Sequence, residues 1–179
     1  EISRNFSLTA YERIAFHKIL NIYKSDNGAE ILLRDIGKPG AIRLSALEVI
    51  SGFNYKDAFP VIKEILNTSE KKEELCLVFD FIENNGTAYF LSDLENFTKK
   101  RGANTFPAEI NRAVFLTGLL VKRIDPEEDF SGADYGLPDK DEEDQPIVVK
   151  GKELVSRYTE MLIGIAQNGE NPVRLRATA

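Results

Sequence analysis

The sequence has no tryptophan and only one cysteine, one histidine and one methionine in 179 residues. Because Cys76 is the sole thiol, an internal disulfide is excluded, and this use of cysteine favours a reducing cytoplasm slightly while leaving the redox compartment open. Its apolar neighbours predict a buried core residue. His17 alone cannot build a histidine-rich metal site and leaves little room for Ser-His-Asp catalysis, so we expect a structural histidine at or near the surface. No apolar run approaches the roughly 18 to 20 residues that a membrane-spanning helix needs.

Sequence motifs for catalysis and cofactor binding are also missing. There is no Gly-x-Gly-x-x-Gly, no Gly-x-x-x-x-Gly-Lys-Ser/Thr and no Gly-x-Ser-x-Gly, the patterns of phosphate-binding loops and of the nucleophile elbow. The acidic run 139–144 offers carboxylates to a cation but lacks the glycine and glutamate spacing of an EF-hand loop, which favours a solvated loop over a calcium site. We therefore assign no catalytic, cofactor-binding or metal-binding residue.

Charge is unevenly distributed along a chain whose composition, 42% hydrophobic and 29% charged, is that of an ordinary globular protein. The net charge is −6, but residues 125–146 hold ten acidic residues and one lysine, a segment charge of −9, so the remainder carries +3. An acidic chain argues against nucleic acid as the main partner, because phosphate binding needs a concentrated basic surface.

Residues 39–69 carry the clearest helical pattern. Leu44, Leu47 and Ile50 recur at steps of three, which is the period of a helix rather than the alternation of a strand. A polar turn follows, and a second apolar stripe then runs over 58–66. The segment therefore predicts two helices joined by a short turn.

A few residues predict where helices begin. Asp57 is a candidate N-cap for the helix over 58–66, and Pro60 is tolerable only in its first turn, where the missing N–H would have no helical partner. Thr9 followed by Glu12 has the pattern of a capping box and predicts the start of the first helix in the chain.

The same pairing of helices can be traced along most of the chain. It predicts four units of two helices and the start of a fifth, with the bounds 8–38, 39–69, 70–101, 105–170 and 171–179. The fourth unit is interrupted by 125–151, which we expect to be an inserted acidic loop, because it cannot bury enough apolar area to offset its ordering entropy. Since 171–179 repeats the opening of the second unit, we expect the natural polypeptide to continue past Ala179.

This pattern resembles a HEAT-type repeat of the phycobilisome-lyase-like kind. The matching features are a Pro-Gly start, an Ala-Ile-Arg-Leu-Ser-Ala-Leu first helix, a glycine in the turn, and Asp-Ala-Phe-Pro-Val-Ile leading the second helix. The resemblance implies an all-α fold in which antiparallel helix pairs stack as an α-solenoid, with one acidic loop insertion. It also implies that Arg43 and Arg174, which share a repeat position, each pair with an acid in an adjacent repeat.

A solenoid presents an extended surface, and nothing in the sequence supplies catalytic groups, so we expect a non-catalytic scaffold or regulatory module that binds a protein partner. The binding surface is expected on the second helices of successive pairs, through side chains that face solvent, and in the acidic loop. The candidate partner-binding residues are Lys63, Glu64, Asp93, Glu95, Asp141, Glu142, Glu143 and Asp144.

Two alternative functions stay open at this point. The chain could be a HEAT-like enzyme or enzyme subunit, either chromophore-lyase-like or DNA-alkylation-repair-like, although the absence of tryptophan counts against the DNA glycosylases. It could also be a repeat segment fused to a sensory or effector domain beyond Ala179.

Overall fold

A computed structural model describes residues 8–23, 26–101, 106–132, 135, 147–168 and 178. Over these ranges the chain forms eight α-helices and one small antiparallel sheet of two strands, which confirms the predicted all-α class. The helices are α1 (Ala10–Tyr23), α2 (Asp26–Ile36), α3 (Ala41–Ile50), α4 (Phe59–Thr68), α5 (Lys72–Asn85), α6 (Leu91–Lys100), α7 (Pro107–Val121) and α8 (Gly151–Gln167). No helix in the described ranges is both long and apolar enough to cross a membrane.

The chain divides into two compact units, Glu1–Asn85 and Gly86–Ala179. This boundary lies between α5 and α6, inside the predicted repeat unit 70–101. The repeat bounds and the solenoid arrangement therefore stay predictions. The predicted start of a fifth unit, 171–179, lies outside the described residues except for Thr178.

The first unit is built around α3, which packs against α1, α2 and α5, while α4 also packs against α5. Leu47 and Ile50 on the predicted apolar stripe of α3 are fully buried, whereas Leu44 is only half-buried. The outward placement of Leu44 leaves apolar surface on the side of α3 that the other helices do not cover.

The helix starts agree with the predictions at two points and differ at a third. The capping box of α1 is present, because the Thr9 amide and hydroxyl both donate to the Glu12 carboxylate at 2.8 Å. Pro60 lies in the first turn of α4, as predicted. The prediction of Asp57 as the N-cap is wrong, since a 3-10 turn over Lys56–Ala58 precedes α4 and places Ala58 at the cap.

The second unit contains α6, α7 and α8, with α7 packed against both of the others. The segment 125–151 is not wholly a loop, because β1 (Asp129–Ser131) and β2 (Val148–Lys150) pair antiparallel at its two ends. Phe130 in β1 is buried, which gives this end of the segment an apolar anchor that its acidic composition concealed. The pairing brings the chain back so that α8 can begin directly after β2.

Candidate functional site

The carboxylate of Asp35, near the end of α2, is buried in the first unit with its side chain 1% exposed. The Arg13 guanidinium donates to Oδ1 at 2.9 Å and to Oδ2 at 3.1 Å, and the Lys38 ammonium lies 3.0 Å from Oδ1. His17 Nε2 lies 3.0 Å from Oδ2. Burial raises the pKa of Asp35, but hydrogen bonds from Lys38, His17 and Arg13 together with the Arg13 charge outweigh it, so the pKa lies below its usual value.

His17 connects Asp35 to α3. Because the Asp35 carboxylate can only accept hydrogen bonds, Nε2 of His17 carries the proton in this pair, and in the neutral ring Nδ1 accepts from the Ser45 hydroxyl at 3.1 Å. His17 is fully buried, so the expectation of a histidine at or near the surface is wrong. The sequence pattern could not show this, because its partners come from two other helices.

Ser45, His17 and Asp35 are the residue types of a hydrolase triad, but their setting is that of a structural network. Ser45 is the fifth residue of α3, so the backbone N–H groups around it are used within the helix, as the bond from Leu44 N to Gly40 O at 3.2 Å illustrates. They cannot stabilise an oxyanion, which is the main requirement of acyl transfer. We interpret the network as a tie between α1, α2 and α3.

A second buried carboxylate, Glu74 on α5, extends this tie. Arg43 on α3 donates from Nη1 to Glu74 Oε2 at 3.3 Å and from Nε to the Ile36 carbonyl at 2.9 Å. Burial raises the pKa of Glu74, but hydrogen bonds from Ser69 and Lys71 and the Arg43 charge outweigh it, so the pKa lies below its usual value. Arg43 thus joins α2, α3 and α5.

The role expected for Arg43 was an ion pair with an acid of an adjacent repeat. The ion pair with Glu74 on α5 is present, but its status as a contact between repeats stays a prediction. Arg174, the other residue expected in this role, lies outside the described residues.

An open groove of about 550 Å³ lies on the first unit along α1, α3 and α5. It is lined by Ile14 and Lys18 of α1, by Ala41, Leu44, Ser45 and Glu48 of α3, and by Glu73, Cys76 and Leu77 of α5. The half-buried members, which form its floor, are Ile14, Leu44, Ser45 and Leu77. The exposed members, which form its rim, include Lys18, Glu48, Glu73 and Cys76. The groove therefore combines a mainly apolar floor with a charged rim.

Cys76 is exposed at this rim, so the prediction of a buried core residue is wrong. Its neighbour Leu75 and the residues Val78 and Phe79 form the buried face of α5. Cys76 lies about 100° around the helix from Leu75, which turns it away from the core. When a helix is buried on one side only, a short run of apolar residues does not show which of those residues faces solvent.

The partner-binding residues that were proposed from sequence and that the structure describes do not line the groove. Glu64 is exposed and Lys63 half-buried, both on α4, while residues 141–144 lie outside the described residues. Asp93 was expected to face solvent but is only 4% exposed.

Glu95 is also largely covered, and its carboxylate pairs with Lys99 at 2.6 Å and with Arg157 of α8 at 3.0 Å. Tyr158 of α8 interacts electrostatically with both Glu95 and Asp93. Burial raises the pKa of its phenol to about 12; the positive charge of Arg157 opposes this increase, and the two carboxylates add to it. The sequence pattern did not predict that α8 contacts this part of α6, because the insertion separates the two helices along the chain.

The chain matches no family model, no curated protein and no solved structure. The resemblance to HEAT repeats therefore stays a prediction, and the function must be argued from the groove itself.

The Asp35 network makes a prediction about pH. Replacing Asp35 with Asn should lower the free energy of unfolding at neutral pH by about 2 kcal/mol, because the carboxylate loses its charge-assisted hydrogen bonds. Since the pKa of Asp35 is lower in the folded state, its contribution is complete above the unfolded-state value of about 3.9 and disappears as the pH falls through the folded-state value. Urea unfolding of the wild type and of Asp35→Asn at pH values from 7 to 2 measures this contribution to the free energy of unfolding.

The difference in stability between wild type and Asp35→Asn should therefore shrink at acidic pH. Asp57→Asn, at an exposed aspartate of the same unit, is the matched control and should stay close to wild type throughout. A difference for Asp35→Asn that is small at pH 7, or that does not shrink on acidification, would contradict the network.

The Arg43–Glu74 contact predicts strong coupling in a double-mutant cycle. Arg43→Met and Glu74→Gln should each lower the free energy of unfolding by about 1–3 kcal/mol, and the coupling should exceed about 0.5 kcal/mol, because the Glu74 carboxylate is buried. The exposed pair Lys150–Asp129, at 2.7 Å, is the comparison and should couple more weakly. Equal coupling in the two pairs would show that burial of Glu74 adds nothing.

Proposed function

We propose that the chain is a non-catalytic interaction module, built as a HEAT-like stack of helices, that binds a protein partner in the groove along α1, α3 and α5. The observation that carries the proposal is the groove itself, with its apolar floor and charged rim. An apolar floor lets a partner bury nonpolar side chains, and a charged rim can orient that partner. A volume of about 550 Å³ is in the range of pockets that hold a ligand or the side chains of a partner.

The groove is also held in shape before a partner arrives. Its walls are helices, and α1 and α3 are tied by the bond between His17 and Ser45 while α3 and α5 are tied by the Arg43–Glu74 pair. A site on rigid elements loses little conformational entropy on binding, which favours affinity.

The HEAT-like part of the proposal has support from the order of packing. Helix α3 packs against α1 before it and α5 after it, as the first helices of consecutive repeats would. The enzyme alternatives have less support. Among the residues that the structure describes, the Ser45, His17 and Asp35 network is the arrangement that most resembles a catalytic site, and its serine lies among backbone N–H groups already used in the helix.

The exposed thiol of Cys76 allows a direct test of the groove. We attach a benzophenone maleimide to Cys76 of the full chain, irradiate it in an extract of the source cell and identify cross-linked proteins by mass spectrometry. A partner that occupies the groove should be captured there, and it should co-purify with the unlabelled wild-type chain in a fixed ratio.

The control moves the thiol out of the groove. In the double variant Cys76→Ser, Glu64→Cys, the label is attached on α4, where it should capture the partner at least about tenfold less well, because it lies away from the groove. A second variant, Leu44→Glu, charges the groove floor and should abolish co-purification while circular dichroism shows intact helices. Equal capture from both thiols, no capture, or co-purification that survives Leu44→Glu would contradict the proposal.

A further inference from the structure

We propose that the occupant of the groove is an amphipathic helix of a partner protein, with Lys or Arg along the edge that faces α3 and α5. This inference rests on the proposed function, since it names the chemistry of the partner at the same site. It is carried by the lining of the groove, the extent of that lining along α3 and the distribution of charge on the rim.

A helix suits this groove better than an extended peptide. The walls are α-helices whose backbone groups already bond within each helix, and the hydroxyl of the floor residue Ser45 is engaged by His17. The N–H and C=O groups of an extended peptide would meet apolar side chains there, and each buried group left without a hydrogen-bond partner would weaken binding. A helix satisfies its own backbone and presents only side chains, which is the helix-in-groove mode of recognition.

The length of the groove fits a short helical contact. Its lining on α3 runs from Ala41 to Glu48, which at 1.5 Å per residue is about 10 Å, or about two helical turns. A helix of that length can present apolar residues at positions i, i+3 or i+4, and i+7 to the groove floor. The apolar side chains of that floor, Ile14, Leu44 and Leu77, come from three different helices, so the contact would involve α1, α3 and α5 together.

The charge on the rim selects the composition of that helix. Glu48 on α3 and Glu73 on α5 are exposed, and neither forms an ion pair with any residue that the structure describes. Lys18 on α1 carries the opposite charge and is likewise exposed. Anions on α3 and α5 and a cation on α1 therefore favour a partner helix with basic residues along one edge and an acidic residue on the other, because complementary rims steer and orient association.

The test uses three synthetic peptides of about 14 residues that share one apolar stripe, each held helical by a side-chain staple because free helices of this length are marginal in water. The first carries Lys and Arg on one edge and Glu on the other. The second has Glu on both edges. The third is the first without the staple and with a central proline that breaks the helix. Fluorescence anisotropy measures the affinity of each for the full chain at 0.05 M and 0.5 M salt.

We expect the basic helix to bind at least about tenfold more tightly than either of the others at low salt. Its advantage over the acidic peptide should shrink at high salt because of screening, whereas its advantage over the proline peptide, which carries the same charges, should persist. Reversing the rim with Glu48→Lys and Glu73→Lys should reverse the preference between the first two peptides. The matched control, Glu64→Lys with Glu70→Lys, changes the net charge equally at exposed positions outside the groove and should leave the preference unchanged.

If the proline-containing peptide binds as tightly as the basic helix, the occupant is not a helix. If the acidic peptide binds as tightly as the basic helix, the proposed charge preference is wrong. If Glu64→Lys with Glu70→Lys reverses the peptide preference as fully as Glu48→Lys with Glu73→Lys, net charge alone is responsible. That result also overturns the proposal. If no peptide binds while Cys76 still captures its partner, the helix is wrong and the interaction module stands. If both fail, the proposed function fails with it.

Discussion

The first unit depends on the burial of a carboxylate that cannot be left without partners. Removing the Asp35 charge from water is unfavourable by several kcal/mol, and only close cations and hydrogen-bond donors can offset it. Those partners come from the turn after α2, as Lys38, and from α1, as Arg13 and His17. An arrangement that moved α1 away from α2 would leave the charge buried and unpaired, so the network disfavours alternative packings of these helices.

The same network reaches the surface through His17, and this links stability to the candidate site. One ring nitrogen is fixed by Asp35, so the other holds the Ser45 hydroxyl on the floor of the groove. The Arg43–Glu74 pair then fixes the opposite wall by joining α3 to α5. The polar groups of these two networks hold α1, α2, α3 and α5 together, and they leave a groove whose floor is mainly apolar and whose rim is charged.

Local sequence patterns predicted the parts of this structure that depend on local interactions. The capping box at Thr9 and the first-turn position of Pro60 could be predicted because each depends only on residues within about one helical turn. The partners of His17 were not, because Asp35 and Ser45 lie on other helices and no spacing rule connects them. For the same reason no local pattern indicated that Asp93 is buried, since its burial depends on helices that are distant in the sequence. The groove was missed because it is a property of three helix faces together, lined by residues that are individually ordinary.

The measurement that tests this account most directly is amide hydrogen exchange of the wild type and Asp35→Asn at neutral pH, resolved by helix. If the carboxylate ties the first unit together, protection should fall in α1, α2 and α3 together, while α7 and α8 of the second unit keep theirs. Loss of protection confined to the end of α2, with α1 and α3 unchanged, would show that Asp35 caps its own helix and that the groove does not depend on it.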